Sequence, residues 1–330
     1  MNESRTNLNS NEEHAIEIKD LTKVFGNFVA VDHLTLYVKK GEIFGFLGAN
    51  GSGKSTTIKM LCGLLSSTSG TATVAGFDIN KDPEAIKRKI GYMSQKFSLY
   101  EDLTVGENIQ FFGGIYGIPN DKLRERTKWV LSMAGLEGKE NTLTRELAGG
   151  WKQRLALGCA VLHEPAIVFL DEPTGGVDPI SRRKFWDLIL LLADLGTTIF
   201  VTTHYLDEAE YCNRITLLHQ GKLIAAGSPD QLKREYIKNP MLEVEASNVV
   251  AALEIIQQQP WALDTSIFGT NLHVSVKEEI SGKAEITKVL SANQIKTIRI
   301  ERITPSLEDV FLHLIEERSG EFADQEVSAT

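Results

Sequence analysis

Apolar residues recur along this chain with two different periods. Runs such as 42–47 (Glu-Ile-Phe-Gly-Phe-Leu) and 166–170 (Ala-Ile-Val-Phe-Leu) are almost continuously apolar, the pattern of strands buried on both faces. Segments 55–65, 104–116 and 121–134 repeat instead every three to four residues, as amphipathic helices do. The two patterns alternate from 15 to about 237, which predicts an α/β domain around a mostly parallel sheet. Between 97 and 163 that alternation stops, and two helical segments follow one another without a strand signal, so a helical insertion is expected there.

Beyond Asn239-Pro240 the order changes. Strand 241–245, helix 249–258, strands 262–268 and 272–276, helix 282–292 and strand 297–302 make a βαββαβ sequence, which predicts a small ferredoxin-like α+β unit. Before it, Ser228-Pro229 gives a helix its cap and its first residue, and that helix should close the first domain. A last helix starts at Pro305, with Ser306 and Asp309 as a capping box and Leu307, Val310, Phe311 and Leu314 on one stripe. Residues 1–14 and 318–330 are polar and aperiodic, the composition of disordered tails. The expected domains are therefore 15–238 and 239–317.

Composition narrows the class. With 42% hydrophobic and 24% charged residues, neither a wholly disordered nor a fibrous chain is tenable. A net charge of −9 offers no global attraction to nucleic acid or to an anionic bilayer, so no nucleic-acid partner is expected. Cys62, Cys159 and Cys212 lack metal-ligand spacing and read as buried thiols in a reducing compartment. No run of about 18 apolar residues exists, and the polar start lacks a signal peptide's apolar stretch. Any membrane role is expected to need a partner.

The densest chemical signal is Gly48-Ala49-Asn50-Gly51-Ser52-Gly53-Lys54-Ser55-Thr56, which fits G-x-x-x-x-G-K-S between a buried strand and a helix. Backbone N–H groups opened by Gly51 and Gly53 can wrap a β-phosphate at the helix N-terminus. Lys54 is then expected at the β/γ-phosphates and Ser55 on a magnesium ion. A second apolar strand ends in Asp171-Glu172, where α/β sheets place ligands. Asp171 is suited to holding magnesium through its water shell, and Glu172 to orienting or deprotonating the water that attacks the γ-phosphate.

Between these two elements lies Leu147-Ala148-Gly149-Gly150-Trp151-Lys152-Gln153-Arg154, a glycine pair before a long helix. This segment resembles the signature of ATP-binding-cassette (ABC) ATPases, usually Leu-Ser-Gly-Gly-Gln followed by one residue and Gln-Arg, and it sits where that family has it. The resemblance covers about 15–237 and implies a P-loop NTPase cassette that binds ATP and Mg2+. It implies that Phe25 stacks on adenine, that Gln95 senses magnesium and the attacking water, that Asp178 lies at a dimer seam, and that His204 contacts the γ-phosphate. Gly149 and Gly150 would offer backbone N–H groups to the γ-phosphate held by a second subunit.

Two positions depart from the family. Ala148 stands where serine is usual and removes a hydroxyl, so ATP-driven closure should be weaker by the worth of a charge-assisted hydrogen bond, roughly 1.5–3 kcal/mol. Trp151 replaces the common glutamine and brings apolar surface to the helix start.

Trp151-Lys-Gln-Arg, Thr203-His-Tyr-Leu-Asp-Glu-Ala-Glu210 and Pro305-Ser-Leu-Glu-Asp-Val-Phe311 together resemble ATPase subunits of bacterial drug-resistance-type (daunorubicin-like multidrug) ABC exporters. That implies a separate polytopic permease, a second copy of the chain as dimer partner, and a peripheral location on the cytoplasmic face of the membrane. Phe97, Leu99, Tyr100 and Leu103, edged by Glu101 and Asp102, are expected to form the groove that receives a cytoplasmic helix of the permease. Two other functions compete. A soluble ABC ATPase acting on ribosomes or nucleic acid would usually carry two cassettes and a basic linker, whereas this chain has one phosphate loop and is acidic. A nucleotide-gated regulatory module with weak hydrolysis is suggested by Ala148 and opposed by intact Lys54, Asp171, Glu172 and His204.

Overall fold

The structure is a computed structural model describing residues 14–96 and 98–315. Both expected tails lie outside those residues, apart from His14, which opens the first strand. The chain divides into two compact units, the first ending at Ala226 and the second beginning at Gly227. The division precedes the expected 238/239 boundary, so the helix capped by Ser228 groups with the second unit.

In the first unit, β1 (His14–Phe25) and β2 (Phe28–Lys39) form a long antiparallel hairpin, followed by β3 (Ile43–Gly48) and helix α1 (Lys54–Leu61). Next come β4 (Ser69–Val74), β5 (Phe77–Asp78), α2 (Pro83–Lys87) and β6 (Ile90–Met93). The insertion is α3 (Val105–Ile115), α4 (Asn120–Ala134) and α5 (Gly149–Ala160). The unit then runs through β7 (Ile167–Asp171), α6 (Pro179–Asp194), β8 (Thr198–Thr203), β9 (Arg214–His219) and β10 (Lys222–Gly227).

Two sheets result. One, ordered β10-β9-β3-β8-β7-β6, is parallel from β9 through β6. Its central strands are buried along their whole length, as near-continuous apolar runs require. The other, β2-β1-β4-β5, is antiparallel and was not anticipated as a separate sheet. Its nucleus is the Gly26-Asn27 turn: Gly26 has φ 58°, and Phe25 pairs directly with Phe28. A common core that includes Ile16, Leu34, Phe46, Ile58 and Phe200 joins the sheets around α1. The insertion has its own core around Val105, Ile109, Val130, Leu136 and Leu155, and Thr104 caps α3 with a full capping box to Glu107.

The second unit opens with α7 (Pro229–Tyr236), whose cap Ser228 accepts from Gln231 N. It continues with β11 (Met241–Ala246), α8 (Val249–Ile256), β12 (Ala262–Phe268), β13 (Asn271–Val276), α9 (Glu279–Ala292) and β14 (Thr297–Ile303). The sheet order β12-β13-β11-β14, antiparallel throughout, is the ferredoxin-like arrangement expected from the βαββαβ pattern. The last helix, α10 (307–315), keeps its capping box: Asp309 N donates to Ser306 Oγ and Ser306 N to Asp309 Oδ2. Leu307, Val310 and Leu314 of its stripe are buried, while Phe311 is half-buried.

Candidate active site

The parallel sheet brings the C-terminal ends of β3, β6, β7 and β8 side by side, and each contributes to one cluster. After β3 the chain turns through residues 49–53 with Gly51 at φ 81° and Gly53 at φ 104°, conformations that side chains rarely adopt. A Cβ on Gly53 would collide with the carbonyl of Ala30, and one on Gly48 with that of Leu218, so the loop is drawn in tightly beneath its open crest of Ala49, Asn50 and Gly51. Gly53 caps α1 without a side-chain bond, which leaves N–H groups of the first turn facing the crest. Ser52 Oγ is buried and has no hydrogen-bond partner among the described residues. A phosphate cradle has this form: free donors, no side-chain bulk, and a buried hydroxyl to be satisfied by a ligand.

Lys54, the first residue of α1, is buried and curls back over the loop. Its Nζ donates to Gly48 O at 2.8 Å and Ala49 O at 3.2 Å, and lies 3.2 Å from Glu172 Oε1. Ser55 Oγ donates to Asp171 Oδ1 at 3.0 Å. Among the described residues no group of three or more His, Cys, Asp or Glu could cage a metal ion. One hydroxyl and one carboxylate suit Mg2+, which keeps several waters and takes remaining ligands from substrate phosphates.

Adjacent carboxylates on one strand end would repel if they pointed together, and the backbone separates them. Glu172 is left-handed, with φ 47°, an arrangement costing about 1–3 kcal/mol. It is held there because Glu172 N donates to Thr202 O at 3.1 Å and to Thr202 Oγ1 at 3.0 Å. The Thr202 hydroxyl in turn donates to Asp171 Oδ1 at 2.8 Å. Asp171 therefore faces Ser55, while Glu172 faces Lys54, Gln95 and His204: Gln95 Nε2 donates to Glu172 Oε2 at 3.0 Å, and His204 Nδ1 lies 3.4 Å from the same oxygen.

Phe25, Ala148, Gly149, Gly150 and Asp178 lie elsewhere on the first unit. Phe25 is exposed at the hairpin tip beside exposed Phe28, with Lys23 Nζ 5.0 Å from its ring centre, so it is not a core phenylalanine. Ala148 occupies the N-cap of α5 and leaves it without a side-chain cap. A Cβ on Gly150 would press on Ser181, and Ala148, Gly149, Gly150, Asp178 and Ser181 border one cavity of about 520 Å³ that includes no phosphate-loop residue. Asp178 itself caps α6, accepting from Ile180 N and Ser181 N, and those bonds to Ser181 and Ile180 hold its carboxyl below the usual aspartate range. Trp151 is half-buried against the insertion core, with Lys139 Nζ 4.6 Å over its ring, and also borders that cavity.

The family model described as "ABC transporter" matches residues 31–175, and "ATP-binding protein DrrA1-3-like, C-terminal domain" matches 227–315. The daunorubicin/doxorubicin resistance ATP-binding protein DrrA of Streptomyces peucetius is 34% identical over 328 residues, which is 97% of this chain and 99% of that protein. The chain belongs to the ATP-binding proteins of ABC transporters. The probable multidrug ABC transporter ATP-binding protein YbhF of Escherichia coli K12 is 53% identical over 223 residues, 68% of this chain. That match spans 39% of YbhF's own length. A solved dimeric ATP-binding cassette in a post-hydrolysis state with ADP and Pi superposes with a TM-score of 0.59 at 29% identity, covering 64% of this ABC protein and 98% of the cassette.

Two residues that hold the site of this ABC ATP-binding protein have no role assigned from its sequence, although Gln153 stands in the signature segment. Thr202 fixes both acids, and as one of three threonines in β8, with Thr198 and Thr203, it carries no distinguishing sequence signal. Gln153, fully buried on α5, donates to Pro173 O directly after Glu172, linking the signature helix to the acidic strand end. The residues of the expected docking groove divide between core and surface. Phe97 lies outside the described residues, Leu99 packs on the insertion core, and Glu101 and Asp102 are ion-paired to Lys152 and Arg145 at 2.7 and 3.0 Å. Tyr100 remains exposed, edge-on to Phe111 at 4.6 Å. A larger open groove, about 860 Å³, lies between α2 and the insertion, lined by Leu64, Tyr92, Ile115, Tyr116 and His163 among others.

Proposed function

We propose that this chain binds and hydrolyses ATP as the energising subunit of an exporter whose membrane-spanning part is a separate protein. The observation that carries the reading is the convergence on Glu172 of Lys54, Gln95 and His204 within 3.0–3.4 Å, next to a phosphate cradle. Lys54 and the loop of residues 48–56 would hold the phosphates, with Ser55 and Asp171 on the magnesium ion. Bound magnesium supplies charge neutralisation at the β/γ-phosphate oxygens. Glu172 then orients the attacking water and accepts its proton, while Gln95 and His204 fix the carboxylate that does so. Phe25 offers its exposed ring to adenine.

The cradle and the Ala148–Gly149–Gly150 cavity occupy different parts of the unit, so one chain supplies each half of a site that a second copy completes. A homodimer with two sandwiched nucleotides satisfies both halves at once. No helix among the described residues is long and apolar enough to cross a membrane, and attachment to the cytoplasmic face would be through the permease. The 860 Å³ groove beside α2 is the surface offered to the permease's cytoplasmic helix, with Tyr100 and Phe111 on the insertion nearby in sequence as a second apolar contact.

The test is copurification under gentle detergent from the native cell together with phosphate release by the purified chain. A polytopic membrane protein at near-stoichiometric amount, with turnover lost in Glu172→Gln, is the expected result. Ribosomes or nucleic acid in its place would favour the soluble alternative, and nucleotide binding without any turnover would favour a regulatory module.

A further inference from the structure

Beneath the turn that carries His204 lies a buried acid that the chemistry above does not use. Glu208 is 1% exposed, on the short turn Glu208–Tyr211. Its Oε2 accepts from Thr203 Oγ1 at 2.8 Å, and Thr203 Oγ1 also accepts from Tyr205 N at 2.9 Å. Glu208 N donates to Tyr205 O at 3.2 Å. One carboxylate thus closes a ring through the residues on either side of His204. Burial raises the Glu208 carboxyl above the ordinary glutamate range, opposed by hydrogen bonds from Thr174 and Thr203 and by the charge of Arg182.

Arg182 comes from a different element. It lies in the first turn of α6, and its backbone N–H donates to Asp178 O at 2.9 Å. Its Nε is 3.5 Å from Glu208 Oε1, its Nη1 3.8 Å from Asp207 Oδ2, and its guanidinium sits 4.0 Å over the Tyr205 ring. Tyr205 in turn packs on His204, with ring centres 4.1 Å apart. Arg182 therefore touches the His204 turn at three side chains while its backbone is bonded to Asp178. Neither Arg182 Nε nor Glu208 Oε1 has a hydrogen-bond partner among the described residues, so their 3.5 Å approach is a buried ion pair without a hydrogen bond.

We propose that Glu208 and Arg182 are positioning residues for His204, and that Arg182 ties the placement of His204 to that of Asp178 at the head of α6. The inference rests on the reading of His204 given under Proposed function. A rigid link between these loops makes the hold of His204 on the Glu172 carboxylate depend on where α6 begins. His204, 34% exposed in its side chain, has no hydrogen-bonded anchor of its own among the described residues beyond its approach to Glu172, so its location is set by the turn.

The experiment is a mutant cycle on the full-length protein, with turnover, the ATP concentration for half-maximal rate and thermal midpoint measured for each variant. Glu208→Gln keeps the size of the side chain and removes its charge; Arg182→Lys keeps charge and removes the planar fork. Both should lower kcat by about tenfold or more with less than twofold change in KM, and His204→Ala added to Glu208→Gln should cost far less than in the wild-type background. Independent, multiplying effects of Glu208→Gln and His204→Ala would overturn the positioning role, as would wild-type kcat in a folded Glu208→Gln. If Glu208→Gln is unfolded, Arg182→Lys decides alone, and wild-type kcat there overturns the link to α6. Should His204→Ala by itself leave turnover intact, the failure lies in the catalytic reading of His204, because that variant does not touch Arg182 or Glu208.

Discussion

Lys54 Nζ sits 3.2 Å from Glu172 Oε1, an ion pair between the phosphate loop and the end of the second acidic strand, and both side chains are more than nine-tenths buried. A buried pair of this kind leaves a lone charge when one partner is removed. Lys54 keeps two loop carbonyls as acceptors, whereas among the described residues Glu172 keeps only Gln95 and His204. Replacing Lys54 therefore harms the folded site before any nucleotide arrives.

Lys54→Ala should lower stability by about 3–5 kcal/mol through the unpaired Glu172, on top of its loss of phosphate binding. The added change Glu172→Gln should recover much of that stability without restoring turnover. Denaturant unfolding of the two single variants and the double variant without nucleotide checks this, and equal midpoints for Lys54→Ala and the double variant would refute it.

Glu172→Gln alone preserves the acceptor for Gln95 and the shape of the pocket while removing the proton acceptor. Turnover should fall about 10²- to 10⁴-fold, the usual worth of a general base. Nucleotide affinity should stay within a few fold of wild type. Equilibrium binding of ATP alongside single-turnover phosphate release separates the two, and parallel losses in both would assign Glu172 a binding role.

Thr202 holds both acids through one hydroxyl, at 2.8 Å from Asp171 Oδ1 and 3.0 Å from Glu172 N. Thr202→Val keeps the β-branched shape in β8 and leaves those groups short of a partner, a cost of about 1–3 kcal/mol. With Glu172 less firmly held at its positive φ, kcat should fall and the magnesium concentration for half-maximal rate should rise. Thermal unfolding and a magnesium titration test the two effects separately.

The motifs were legible because each combines residue type with element type. Gly51, Gly53 and Lys54 announce a loop that only glycine can shape, and Asp171-Glu172 closes a strand whose apolar run is unmistakable. The βαββαβ unit was legible because its elements alternate with clear periods. Sequence order carries less about which strand joins which sheet, so the antiparallel β2-β1-β4-β5 sheet emerged only from long-range pairing. Thr202 and Gln153 escaped for a related reason. Their partners Asp171 and Pro173 are 31 and 20 residues away, and nothing local, not even the place of Gln153 in the signature segment, says which distant element a buried threonine or glutamine bonds. The expected groove residues divide because amphipathic segments of an insertion pack on one another as readily as on a partner: Leu99 packs on the insertion core while Tyr100 stays exposed.

Ala148 stands at the N-cap of α5 with φ −63° and ψ 153°, extended values that a capping serine also adopts. Ala148→Ser should add about 0.5–2 kcal/mol of stability through the cap, and should tighten ATP-dependent dimer formation by supplying a hydroxyl to the facing phosphate. The first effect is read from thermal unfolding without nucleotide, and the second from sedimentation of the Glu172→Gln background with ATP. A gain in stability with unchanged dimerisation would confine Ala148 to a local role in the helix.

In the second unit, His273 Nδ1 lies 2.7 Å from Asp309 Oδ1, which joins α10 to β13, and both side chains are buried. Burial alone raises the Asp309 carboxyl, yet hydrogen bonds from His273 and from Ser306 outweigh it and hold the group below the usual aspartate range. A depressed folded-state value means that the stabilisation is fully present above the unfolded value of about 3.9 and is lost as pH falls through the lower folded value. Near neutrality Asp309→Asn should therefore weaken the docking of α10 by about 1.5–3 kcal/mol, the worth of a hydrogen bond to a charged group. That difference should shrink once the pH drops below about 4. Hydrogen exchange at the amides of Val310 and Leu314, corrected for intrinsic pH dependence and compared between wild type and Asp309→Asn, reads the docking directly. A gap that stays constant down the acid limb would mean that packing of Leu307, Val310 and Leu314, rather than the charge on Asp309, fastens the helix.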